Sequence, residues 1–249
     1  MQRNILLLTA TITPLAGIPS LARTDPALRL QDYRRALTFY SSLIGTCFDS
    51  IVFAENSASD LGPLSTAIKE RSTAAVEFIS FYGLDYPPSY GRGYGEFRLV
   101  EFAVDHSKYI GENDIVWKVT GRYIIENICR IIQSRPSAAD LYCHMRDHPY
   151  RLCELYLLGW NSRGYNGAIK GVFPKLRNDI VPGQISIEET LFRKEVDQVA
   201  SGIKVVPRFK YVPIISGVRG FDNREYSRRW SMKNIARRVT HRLVPKLWI

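Results

Sequence analysis

The sequence lacks any apolar run near the roughly 18 residues that a membrane-spanning helix needs. It has no GxGxxG after a strand and no GK[ST], so neither a dinucleotide fingerprint nor a phosphate-binding P-loop is present. No two aspartates stand one residue apart, which removes the usual paired-carboxylate metal clamp. The four cysteines, Cys47, Cys129, Cys143 and Cys153, contain no CxxC spacing, and a chain of 249 residues needs no disulfide framework for stability. Reduced, mostly buried thiols in a cytosolic protein are therefore expected. No internal repeat and no low-complexity segment interrupts the chain, which excludes solenoids and linkers.

What is present is an ordinary globular composition: 45% hydrophobic, 23% charged and 12% aromatic residues, with 14 tyrosines. The formal charge of +10 suggests nucleic acid until it is located. Seven Lys or Arg and no acid lie from Arg228 to the end, so the rest of the chain carries only +3. A nucleic-acid-binding module would spread its basic and aromatic residues over the whole domain, and this chain does not. A second non-catalytic alternative, a secreted carbohydrate-binding protein, would require the first 22 residues to be a signal peptide. In "MQRNILLLTATITP" the apolar run is broken by Thr9, Thr11, Thr13 and Pro14, so a buried first strand that ends in a polar loop is expected instead.

Short β-like runs alternate with helical ones from there. "NILLLTAT", "SIVFAEN", "AVEFISFYG", "DIVWKV", "AADLYCHM" and "YRLCELYLLGWN" read as strands. "LQDYRRALTFYSSLIG", with Leu30, Tyr33, Leu37, Tyr40 and Ile44 three to four apart, reads as an amphipathic helix closed by Gly45. "SIEETLFRKEVDQVASG" opens with Ser186 three before Glu189, the spacing of a capping box. This alternation predicts an α/β sheet covered on both faces.

Four clusters fall at predicted strand ends, where open α/β sheets bind ligands. They are Thr9-Ala10-Thr11, with Arg29 and Asp32 on the following helix; Glu55-Asn56; the glycine-rich "GRGYGE" of Gly91–Glu96, expected as a loop that opens a helix; and "KVTGRY", where Lys118 and Arg122 flank the Thr120-Gly121 turn before a helical segment from Tyr123. Two cations beside a glycine turn suit an anionic ligand such as a diphosphate.

The order "ENS", "GRGYGE", "WKVTGRYIIENI", "IEETLF" resembles bacterial glycosyltransferases of surface and exopolysaccharide assembly, over about residues 1–225. That resemblance implies an α/β, GT-A-like (nucleotide-diphospho-sugar transferase) single domain with a mixed central sheet. It implies a nucleotide-sugar donor held by Thr9, Ala10, Glu55, Asn56, Gly93, Lys118, Thr120, Gly121 and Arg122. It also implies a glycan or lipid-linked glycan acceptor. The family usually places a divalent metal under the diphosphate, Mn2+ or Mg2+. Without a DxD motif the remaining metal candidate is Asp147 in Arg146-Asp147-His148; alternatively Arg146 or Lys118 replaces the metal. A zinc site at His144, Asp147 and His148 has no evident further ligand. Glu188 is the candidate base and Arg122 the catalytic cation, with Glu189 better suited to the helix cap. Ile215–Asn223 is a candidate acceptor-side flap.

The tail is a separate element, residues 226–249. Met232, Ile235, Ala236, Val239 and Leu243 follow helical spacing, and Arg228, Arg229, Lys233, Arg237 and Arg238 cover much of the remainder. This predicts an amphipathic C-terminal helix on an anionic membrane surface, and a cytoplasmic enzyme peripheral to the inner face of the bacterial membrane.

Overall fold

Apolar residues without polar alternation, as in Ile5–Leu8, are stable in a strand only where both sheet faces are covered. In a computed structural model, which describes residues 2–69, 75–180 and 187–226, this run is β1 (Asn4–Ala10) and lies near the middle of the sheet. Leu6, Leu8 and Ala10 enter one core and Ile5 and Leu7 the other, the period of two that a strand imposes. The expectation of a first strand is met.

The elements follow in the order expected of an α/β chain. After β1 come α1 (Pro26–Ser41), β2 (Ser50–Glu55), α2 (Gly62–Lys69), β3 (Val76–Ser80), α3 (Gly91–His106), β4 (Ile115–Thr120), β5 (Ile124–Ile125) and α4 (Ile128–Gln133). Then come β6 (Leu141–Arg146), β7 (Leu152–Trp160), the single turn α5 (Ser162–Gly164) that continues as a π-helical turn to Ile169, α6 (Ile187–Val199), β8 (Val205–Val206) and β9 (Ile215–Ser216). Seven strands form one sheet in the order β3-β2-β1-β4-β7-β6-β8, and β5 pairs separately with β9. β1 to β4 run parallel, β7 runs antiparallel to both β4 and β6, and β8 is parallel to β6. The central sheet is mixed, as expected of a GT-A-like domain.

Two cores flank the sheet. α1, α2 and α4 cover one face through Tyr33, Leu37, Leu64, Ile68, Ile128 and Ile131; α3 and α6 cover the other through Phe97, Val100, Phe192 and Val196. Each such side chain contributes roughly 1.5–3 kcal/mol by leaving water. α1 begins earlier than its apolar spacing suggests. Asp25 caps it, its Oδ1 accepting from the Ala27 and Leu28 amides at 2.8 and 3.3 Å, with Pro26 preset for the first turn.

Three expectations are corrected. "GRGYGE" is not a loop: it forms the first turns of α3, because its glycines are packed rather than mobile. Tyr123 does not start a helix; the chain makes the short β5 and enters α4 at Ile128. Cys47 and Cys129, 82 residues apart, form a disulfide that ties the segment after α1 to α4, whereas Cys143 and Cys153 are free and buried. The tail from Arg228 and the cap residue Ser186 lie outside the described residues. Among the described residues no helix is long and apolar enough to cross a membrane.

Candidate active site

β1 lies between β2 and β4: the connection through α1 carries the chain from β1 to β2, and the one through α3 brings it from β3 to β4 on the other side, so a crevice opens beyond the carboxyl end of β1. Thr9, Ala10 and Thr11 end β1 there, and Thr120 ends β4 beside them. The turn after Thr120 must pass close to β1: the Gly121 amide donates to Thr9 O at 2.9 Å, and a Cβ on Gly121 would lie 2.7 Å from that oxygen. Only glycine fits without moving a strand. A cleft of about 1250 Å³ opens above, roofed by residues 208–226. The roof is anchored at several points. β9 pairs with β5, the Ala22 and Arg23 amides donate to Gly220 O at 2.8 and 3.0 Å, and Asn127 holds Val212 O and the Ile214 amide.

One end of the cleft is cationic. Arg29 is buried; its Nε, Nη1 and Nη2 donate to Thr11 O, Arg23 O and the Tyr33 hydroxyl at 2.6, 2.8 and 3.1 Å. Burial lowers its pKa from the usual arginine value, and the neighbouring Arg122 pushes the same way. Arg122, also buried, donates to Val218 O at 3.1 Å and stands 3.9 Å from Asp32, which Arg23 already engages in a two-point pair at 3.0 and 3.1 Å. Among the described residues Arg23 and Arg122 share Asp32 as ion-pair partner, and Arg29 stands within ion-pair distance of no carboxylate. The buried Nε of Arg122, and that of Arg219 in the roof, have no hydrogen-bond partner among the described residues. Excess buried positive charge with unused donors is a site for an anion.

The floor carries an ion pair. Lys118, wholly buried in β4, lies 2.6 Å from Glu96 of α3 and donates to Leu155 O at 2.5 Å. The hydroxyls of Thr9 and Thr120 donate to the same Glu96 oxygen at 2.8 and 2.9 Å. Burial alone would raise the Glu96 carboxyl; the Lys118 ammonium and the two hydroxyls outweigh it and hold the pKa below the usual carboxylate value.

The opposite end carries three carboxylates and two arginines, with Glu154 paired to Arg146 at 2.7 Å. Gly93 of α3 faces Glu188 of α6, and a Cβ there would come within 2.5 Å of the Glu188 Cβ. The missing side chain lets α6 approach and brings Glu188 and Glu189 into the cleft. Arg92 Nη2 donates to Glu188 Oε1 at 2.5 Å. Glu189 Oε2 is buried without a partner among the described residues. Its pKa is pushed up to about 8, by burial first and then by Glu188, with Arg92 opposing and Glu154 adding to the rise.

The structure brings together Thr9, Ala10, Thr120, Arg122 and Glu188 of the expected site. It places the others elsewhere. Glu55 is fully buried, accepting from the Ile12 and Ser57 amides at 2.9 Å each, from the Ser59 amide at 3.1 Å, and from the Ser57 hydroxyl. Those bonds fix the loop after β2 and leave no oxygen for a ribose. Asn56 accepts from the Thr11 hydroxyl at 2.6 Å and braces the loop after β1. Lys118 lies under the floor, Gly121 only positions the turn, and Gly93 spaces two helices. Asp147 is 41% exposed and pairs with Arg193 at 3.3 Å, outside the cleft, so it does not fit the metal role. Among the described residues no three His, Cys, Asp or Glu converge as a metal site, zinc included. Arg92 and Glu96 lie within the predicted "GRGYGE" cluster and Arg219 within the candidate flap, without being singled out as site residues, and Asn178 falls in none of the expected clusters; all four line the cleft. A signal for two of them existed: Arg92 and Glu96 are four apart, hence on one face of a helix once "GRGYGE" is read as helical.

No protein-family model matches the chain, and no curated protein matches it. Solved structures similar to it include a protein of Desulfovibrio desulfuricans G20 assigned as a nucleotide-diphospho-sugar transferase, at 13% identity, 100% coverage of both chains and a TM-score of 0.47. A 4-diphosphocytidyl-2C-methyl-D-erythritol synthase from Anaerococcus prevotii is similar at 9% identity, 96% coverage of both chains and a TM-score of 0.47. The galactosyltransferase LgtC, solved with donor and acceptor sugar analogs, is similar at 8% identity, over 82% of this chain and 73% of its own, with a TM-score of 0.47. At such scores these likenesses carry no argument about activity, which rests on the cleft itself.

Proposed function

We propose that this chain transfers a glycosyl group from a nucleotide-diphosphate donor to a hydroxyl of a bacterial glycan acceptor. The observation that carries the reading is the polarity of one cleft: Arg29 and Arg122 at one end, and Glu189 with its raised pKa and unpartnered oxygen at the other. The diphosphate takes the guanidinium end, beside the carboxyl edge of β1. The acceptor hydroxyl takes the Glu189 end. Its oxygen bonds the anomeric carbon as the bond from that carbon to the diphosphate oxygen breaks; the electron pair leaves on the diphosphate and the proton goes to Glu189. Arg122 is the catalytic cation, meeting the charge that develops on the leaving group. Glu188, the carboxylate first expected as base, is engaged by Arg92, so the base role passes to Glu189.

Surface or exopolysaccharide assembly, a lipid-linked acceptor, and docking of residues 228–249 on the anionic inner face of the membrane belong to the same proposal. They rest on the residue pattern of that tail and on the family resemblance.

A thermal-shift screen against nucleoside diphosphates and nucleotide sugars, with and without Mn2+, tests the reading. A ligand at about a hundred times its Kd adds roughly 2.7 kcal/mol of stability. Stabilisation by one nucleotide family supports the donor site, and absence of any shift across the panel refutes it. Release of nucleoside diphosphate, rather than inorganic diphosphate, with a bound acceptor separates glycosyl from nucleotidyl transfer.

A further inference from the structure

A diphosphate in the cleft needs its charge met, and the family resemblance implies a divalent metal ion for that task. The carboxylates that line this cleft are committed elsewhere. Glu96 is matched by Lys118 at 2.6 Å, Glu154 by Arg146 at 2.7 Å, Glu188 by Arg92 at 2.5 Å and Asp179 by Arg177 at 2.6 Å. Glu189, its pKa pushed up to about 8 by burial and then by Glu188, is largely protonated at neutral pH. Glu225 is a single exposed carboxylate on the roof, and His144 stacks on Phe209. To gain a second carboxylate, a metal ion would have to displace a guanidinium or an ammonium. Outside the described residues the sequence holds one acidic side chain, Glu70, so residues 181–186 and 227–249 supply none.

At the β1 end the chain supplies the positive charge itself. Arg23, Arg29 and Arg122 stand around one carboxylate, Asp32. Arg23 holds it at 3.0 and 3.1 Å, Arg122 lies 3.9 Å away, and Arg29 has no carboxylate within ion-pair distance among the described residues. Three cations against one anion leave a surplus of two positive charges, and guanidiniums stay protonated even when buried. The roof does not change that count. Arg219 is paired with Asp222 at 2.5 Å, and Arg208 and Glu225, which both line the cleft, offset each other. A nucleotide sugar carries one negative charge on each phosphorus, so its diphosphate alone balances the surplus. A divalent ion bound beside it would restore two uncompensated positive charges where water is scarce and like charges repel strongly. Guanidiniums also meet phosphate oxygens at two points, which fixes the diphosphate in orientation as a metal would.

We propose that Arg29 and Arg122, with Arg219 above them on the roof, take the place of a divalent metal ion at the diphosphate, so that nucleoside diphosphates bind this chain independently of Mg2+ and Mn2+. This holds only if the cleft is a donor site, as proposed above, and it departs from the metal that the resemblance implies.

Titration calorimetry on the full chain tests it, with UDP, GDP, ADP, CDP and dTDP as probes, first in EDTA and then in excess Mg2+ or Mn2+. At least one nucleoside diphosphate should bind in EDTA, and neither metal should tighten it by more than about three-fold. Arg122→Met should weaken that binding at least about ten-fold, the scale of a hydrogen bond to a charged group, and neither metal should restore it. Arg219→Met, on the half-buried roof, should weaken it at least about three-fold, with folding of both variants checked by the melting point. Binding that requires a metal, or tightens by more than three-fold with one, overturns the proposal on the wild-type protein alone and keeps the donor reading. Metal-free binding that neither variant weakens overturns the assignment to these arginines. Binding of no nucleoside diphosphate under any condition removes the donor reading and the proposal with it.

Discussion

Lys118→Met removes the ammonium beneath the cleft while keeping the length of the side chain. Glu96 then loses the cation 2.6 Å away and retains the hydroxyls of Thr9 and Thr120. Leu155 O loses its 2.5 Å donor at the same time. Breaking one side of a buried pair costs about 3–5 kcal/mol. Glu96 keeps 21% of its side chain exposed and two hydroxyl donors, which places the loss near 3 kcal/mol by that scale. For a domain of this size each kcal/mol shifts Tm by about 2–4 °C, so a fall of about 6–12 °C is expected in thermal unfolding followed by circular dichroism. The double variant Lys118→Met/Glu96→Gln should recover much of it, since no charge is left buried alone. The pH dependence has a defined sign. With its pKa depressed, Glu96 contributes stability above its unfolded pKa and loses it as pH falls through the folded value. In Lys118→Met that depression is gone, so the gap between wild type and variant narrows on acidification. A variant as stable as wild type at neutral pH, or a double variant no better than the single one, would falsify the buried-pair argument.

Glu189→Gln should lower kcat about 10²- to 10⁴-fold, the range for losing a general base. Wild-type kcat should rise with pH through about 8 as Glu189 loses its proton against Glu188 and Glu154 and toward Arg92; that limb should vanish in the variant, and its persistence would reassign the base. Arg122→Met should weaken nucleoside-diphosphate binding by about 1.5–3 kcal/mol, the range for a hydrogen bond to a charged group, read by calorimetry; unchanged affinity would move the diphosphate elsewhere. Cys47→Ser should destabilise by up to roughly 4.5 kcal/mol, the chain-entropy value for so long a loop, and alkylation of the unfolded, unreduced wild type should label two thiols rather than four.

Elements whose environment is uniform were legible in the chain. The run at β1 is apolar because both faces are covered, and α6 shows its amphipathic spacing because one face meets the sheet. Arg29 and Asp32 were visible beside the β1 loop for a similar local reason. What stayed hidden depends on partners distant in sequence. Glycine at Gly91, Gly93 and Gly95 argues against helix by intrinsic propensity, yet the helix forms because Asn178, Glu188 and Tyr86 fill the space those glycines leave. Lys118 reads as an exposed cation beside a turn until Glu96, on another element, neutralises it. The pairing of Cys47 with Cys129 leaves no mark in cysteine spacing, since α4 must first pack beside the segment after α1.

The roof over the cleft bears on when the protein becomes competent during its own synthesis. Strands β1 to β7 and α3 are complete by Trp160, so a growing chain can collapse around most of its sheet early. The wall contributed by Glu188 and Glu189 follows only after α6, and Val218 and Arg219, which face Arg122 across the anion end, emerge nearly a hundred residues after it. A ribosome-bound intermediate would thus hold Arg29 and Arg122 on a largely assembled sheet before the roof exists, and termination before residue 208 would leave the anion end open to solvent and remove Phe209 from the core.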